Sequence, residues 1–154
     1  MPRLRWVLAL ALCAALTTLS AADDPFNGAW RLNTAKSKYD PGPGPDKATV
    51  TIQSDGVTTT VKTESSYEGK SFATSYSARL DGTPAPLQGS PVADTVSIKK
   101  TGERTRELKS LKGDKVVSEA GATLSDDGKT ITVVGSGLNP KGQKTTFTAV
   151  YEKQ

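Results

Sequence analysis

The chain has 154 residues, 20 Lys and Arg against 16 Asp and Glu, no histidine, and a single cysteine, Cys13. An intramolecular disulfide is therefore excluded. So are Ser-His-Asp and Cys-His catalysis, and a zinc site built from Cys and His is disfavoured.

The chain opens with Arg3 and Arg5, followed by the apolar run Trp6–Leu16 and the small residues Ser20-Ala21-Ala22. The run is shorter than the ~20 apolar residues a membrane-spanning helix needs. Residues 1–22 are thus expected to be an export signal cleaved near Ala22, giving a periplasmic or secreted protein with no transmembrane segment. Leu12 stands before Cys13 and the apolar run continues past it, which argues against lipid attachment there. Cleavage would leave 23–154 as one domain with 18 basic and 16 acidic side chains, a net charge of +2. That domain would hold no Cys, His or Met, and Trp30 would be its only tryptophan. Its stability would rest on burial and backbone pairing.

Asp40-Pro41-Gly42-Pro43-Gly44-Pro45 cannot donate ladder hydrogen bonds at its prolines, so 40–46 is predicted to be a stiff, exposed loop. Period-two alternation follows. Ala48, Val50 and Ile52 alternate with Thr49, Thr51 and Gln53 before the turn Ser54-Asp55-Gly56, and Val57, Thr59 and Val61 return. After Glu68-Gly69, the residues Phe72, Thr74, Tyr76, Ala78 and Leu80 share one strand face. Asp81-Gly82 and Pro84, Pro86 and Pro91 interrupt the pattern. Strands are then predicted around Val96–Ile98, Arg104–Leu111, Val116–Leu124, Ile131–Val134 and Phe147–Tyr151, parted by Gly-containing turns. This spacing predicts an all-β sandwich or barrel, with an antiparallel up-and-down meander as the simplest topology.

Phe26-Asn27-Gly28-Ala29-Trp30-Arg31-Leu32-Asn33 places Gly-x-Trp at the mouth of the first strand. With Ala35-Lys36-Ser37-Lys38-Tyr39, the Pro-Gly run and the ending Val150-Tyr151-Glu152-Lys153-Gln154, it resembles an uncharacterised family of small exported bacterial lipocalin-like, calycin-type β-barrel proteins. The resemblance covers essentially all of 23–154 and implies a lipocalin-like barrel of about 8–10 strands, without implying an activity. It makes Gly28 and Trp30 a structural motif, the Trp closing one end of the interior. It also implies a basic side chain over that Trp, and Lys153 is the nearest match. Fatty-acid-binding relatives carry Arg-x-Tyr on a late strand; here the place reads Ala149-Val150-Tyr151, so that carboxylate anchor is missing.

No phosphate-cradling loop occurs, and Asp126-Asp127-Gly128 lacks the rest of a calcium loop, so no cofactor or metal is expected. An enzyme is disfavoured. Lys99, Lys100, Arg104, Arg106, Lys109, Lys112 and Lys115 outnumber the acids of 99–115, which reads as charged outer strand faces or a weak contact with an anionic surface. That segment has no base-stacking aromatic, which disfavours nucleic acid. The expected function is non-catalytic binding of a small apolar or amphipathic ligand by a monomer, with Phe72, Tyr76, Phe147 and Tyr151 as the binding wall. The alternative is a structural or interaction module whose barrel is filled by its own side chains.

Overall fold

The computed structural model describes residues 23–154; the expected export signal, its cleavage site and Cys13 lie outside the described residues. The described chain is all-β: β1 (Gly28–Leu32), β2 (Lys38–Asp40), β3 (Lys47–Ser54), β4 (Thr58–Tyr67), β5 (Lys70–Arg79), β6 (Ala85–Pro86), β7 (Thr95–Gly102), β8 (Thr105–Lys112), β9 (Lys115–Leu124), β10 (Thr130–Leu138) and β11 (Lys144–Lys153). The alternation sets which face is inward. In β3, Ala48, Val50 and Ile52 are buried or half-buried while Lys47, Thr49, Thr51 and Gln53 are exposed. The β4–β5 hairpin turns on Glu68 and Gly69, both at positive φ (47° and 77°), the backbone a two-residue hairpin requires.

All strand pairs are antiparallel, in the order β5-β4-β3-β1-β11-β10-β9-β8-β7-β6. The first and last strands meet: Trp30 lies opposite Lys153 and Leu32 opposite Tyr151. β2 pairs with β11 at Thr146–Thr148, further along the edge that β1 uses. β1 and β2 are therefore two halves of one strand interrupted by 33–37. The excursion is tied down by Asn33 N–H on Val150 O (2.8 Å) and by Val150 N–H on Ser37 Oγ (2.9 Å).

The result is a nearly closed antiparallel barrel of ten strands, compatible with a lipocalin-like fold. Closure comes at the proline-rich break. Just past the end of β5 the chain meets β7 directly, through Gly82 N–H on Ile98 O (3.0 Å) and Lys100 N–H on Leu80 O (2.8 Å). Where the two strands diverge, residues 85–88 fill the gap. Ala85 pairs with Val96 on one side, and Gln88 exchanges hydrogen bonds with Ser75 on the other (3.1 and 2.9 Å). Of the prolines that interrupt the alternation, Pro86 sits within this strap, and Pro84 and Pro91 flank it.

Gly89 is required at the end of that strap. It has φ +78°, and a Cβ there would stand 2.0 Å from Ala73 O. Gly89→Ala combines backbone strain with a clash against rigid main chain. It is expected to destabilise by about 2–3 kcal/mol, measured by urea unfolding. A change near zero would mean that the strap does not hold β5.

The Pro-Gly loop behaves as expected only in part. Pro41, Gly42 and Pro43 are exposed, but Gly44 and Pro45 turn inward. A Cβ on Gly44 would strike the Tyr39 ring at 2.2 Å, so the loop lies flat against that ring. Thr145 Oγ1–H donates to Pro41 O (3.0 Å), holding the loop over this end of the barrel.

Candidate functional site

The interior is lined rather than filled. One buried cluster joins Phe26, Trp30, Ala122, Leu124 and Ile131; another joins Leu32, Ala48 and Ala149; a third joins Ala78, Leu80 and Ile98. Small residues such as Ala78, Ala122 and Ala149 occupy inward positions on three strands, and they leave space between the walls. A cavity of about 240 Å³ results, walled mainly by Trp30, Val50, Ile52, Ile98, Leu108 and Ile131. An apolar cavity of about 150 Å³ already accommodates benzene, and drug-sized ligands occupy roughly 300–1,000 Å³. This one suits a molecule of one or two rings.

Trp30 lines the cavity. It is fully buried, and its Nε1–H donates to Phe26 O (3.0 Å). Lys153 Nζ lies 5.3 Å from the ring centroid, in the covering position that the lipocalin resemblance implies. Gly28, at φ +133°, lets the Lys153 stem pass: a Cβ there would be 3.0 Å from Lys153 Cε.

The polar part of the wall is Arg106, with Thr59, Thr63 and the rings of Tyr76 and Tyr151. Arg106 corrects the sequence reading, which placed it among outward basic side chains. It is 4% exposed, and its guanidinium lies over the Phe26 ring, 4.2 Å from the centroid. Its inward direction follows from the period of β8, because it shares a face with Leu108.

Its partner is Asp24, also buried. Arg106 Nη2 donates to both carboxylate oxygens of Asp24, at 2.6 and 2.5 Å. Asp24 also accepts from Phe26 N–H (3.0 Å) and Ser54 Oγ–H (2.7 Å). Burial alone would raise the Asp24 pKa, but these hydrogen bonds and the Arg106 charge outweigh it, and the carboxyl is held below its ordinary value. The pair is ionised and already neutralised. Among the described residues, Arg106 Nε and Thr59 Oγ1 are buried without a hydrogen-bond partner. Most buried polar groups are satisfied, so two orphans on one cavity wall are an unusual pairing.

The tyrosines at the cavity are neutral phenols. Burial pushes Tyr76 up to about 12, the nearby Arg106 charge opposing it slightly, and burial raises Tyr151 as well, with a smaller push from Tyr39. Of the four aromatics expected to form the binding wall, Tyr76 and Tyr151 meet at this cavity. Phe147 instead stacks on Tyr39, ring centroids 6.1 Å apart, and borders a separate space of about 140 Å³ under the Pro-Gly loop. Phe72 lies half-buried further along β5, in a groove with Ala48, Glu64 and Ser65.

The charges of 99–115 are largely matched from neighbouring elements. Exposed pairs join Lys100 to Glu103 (3.3 Å), Arg104 to Asp126 (3.4 Å), Lys109 to Glu119 (3.2 Å) and Lys112 to Asp94 (3.6 Å). Such pairs add little stability, but they remove most of the local positive excess. Among the described residues no group of three or more Cys, Asp or Glu could hold a metal, and no helix is long and apolar enough to cross a membrane. No protein-family model matches the sequence, and no curated protein matches it.

Proposed function

We propose that this chain is an exported, non-catalytic carrier or receptor that binds a small amphipathic molecule inside its barrel, as a member of the small exported lipocalin-like proteins it resembles. One observation carries the reading. The cavity is apolar on most of its wall, with the phenols of Tyr76 and Tyr151 on the remainder. A ligand that covered the apolar wall and bonded one of those hydroxyls would match both parts of it. Export is proposed from the Arg3–Ala22 pattern, with which a cysteine-free 23–154 agrees.

The test is thermal stabilisation by uncharged one- and two-ring compounds, since a ligand that binds only the folded state raises Tm. The wild type is expected to show a saturable rise of several degrees with at least one of them. Ala122→Phe, which pushes a ring into the cavity, is expected to abolish the rise while remaining folded by circular dichroism. Equal stabilisation of both proteins would place binding elsewhere. No saturable rise in the wild type would make the barrel a structural module filled by its own side chains.

A further inference from the structure

We infer that the cavity selects an electrically neutral molecule bearing a hydrogen-bond acceptor, such as a ketone or alcohol, and rejects the carboxylate of the same skeleton. This rests on the binding reading above and specifies the ligand class. A buried arginine in an apolar cavity at first suggests an anion. Here that charge is taken: Arg106 Nη2 lies between the two oxygens of Asp24, and both side chains are almost wholly buried, at 4% and 2% exposure. An incoming carboxylate would meet a neutral ion pair, lose its hydration, and stand close to the Asp24 charge.

What the wall offers is a hydroxyl without charge. Arg106 Nε and Thr59 Oγ1 are unpaired but wholly enclosed. Tyr76 and Tyr151, neutral phenols on the cavity wall, can each donate or accept. They come from β5 and β11, two separate strands around one space. A carbonyl or hydroxyl oxygen satisfies such donors without bringing a second negative charge toward Asp24.

Three probes of nearly equal size separate the possibilities: acetophenone, ethylbenzene and benzoate, titrated at neutral pH and followed by amide NMR shifts. Acetophenone is expected to bind about 5–20-fold tighter than ethylbenzene, the factor a single hydrogen bond to a buried donor gives. Benzoate is expected to bind at least tenfold more weakly than acetophenone. Asp24→Asn leaves the Arg106 charge unmatched, and in that variant benzoate should gain tenfold or more over its wild-type affinity. If Asp24→Asn does not fold, the wild-type ranking still decides the matter. Benzoate binding as tightly as acetophenone, or no difference between acetophenone and ethylbenzene, overturns the inference while leaving cavity binding intact. Saturable shifts with none of the three overturn the cavity reading itself.

Discussion

Arg106→Met is expected to destabilise the protein by about 3–5 kcal/mol, the cost of leaving a buried charge without its partner. The replacement is similar in volume and keeps an apolar contact over Phe26, so packing accounts for little of the loss. The cost lies with Asp24, whose side chain is 2% exposed and would keep only Phe26 N–H and Ser54 Oγ–H as donors. Asp24→Asn with Arg106→Met removes both charges and retains an acceptor for those donors. The double variant should therefore recover about 1–3 kcal/mol of the loss. Urea unfolding of the three proteins measures the cycle.

The pH dependence has a definite sign. A carboxyl held below its ordinary value in the folded state binds fewer protons there than in the unfolded chain. Its contribution is complete above the unfolded pKa of about 4 and is lost as pH falls through the lower folded value. The wild type should lose stability as the medium is acidified below about pH 4. In Arg106→Met, burial is opposed by fewer donors and no charge, so the Asp24 pKa should rise and acidification should recover stability instead. If Arg106→Met costs under 1 kcal/mol and leaves the acid limb unchanged, the ion pair does not exist as described.

Trp30→Ala should cost about 3–5 kcal/mol, as large-to-alanine changes in cores do. Trp30 is wholly buried where β1 lies between β3 and β11, opposite Val50 and Lys153. Its removal would enlarge a cavity already of about 240 Å³, leave Phe26 O without its donor, and strip Lys153 of the ring it covers. Main-chain pairing holds β1 and β11 in register, which limits any offset from collapse of the walls. Thermal unfolding monitored by circular dichroism measures the effect. A loss below about 1 kcal/mol would contradict the closing role of Trp30.

Much of the fold was legible because half-burial writes period two into a strand. Val50, Ile52, Tyr76, Ala78, Val96 and Ile98 sit inward as their spacing indicates, and Asp55-Gly56 and Glu68-Gly69 turn where those residue types favour a hairpin. Pairing between distant segments was less legible. That β2 continues β1 depends on a five-residue excursion bonded to Val150, and no local pattern announces it. The strap at 85–88 was hidden because prolines normally exclude a strand, whereas here Ala85 and Gln88 supply the bonds.

The candidate site was half legible, for a related reason. Tyr76 and Tyr151 fall on inward faces, but so do Phe72 and Phe147; depth along the barrel, which alternation does not encode, separates them. Arg106 was readable from its parity with Leu108, but its charge suggested the surface. Asp24 lies before the first strand, where no period exists, and only the folded chain brings it to a residue 82 positions away.

The measurement that bears most directly on an open interior is a NOESY spectrum of the isotope-labelled protein with acetophenone. An open interior requires intermolecular contacts from the probe to Trp30, Ile98, Ile131 and Tyr151, all on the cavity wall. Contacts confined to exposed side chains such as Val57 and Val134, with none to those four, would contradict it.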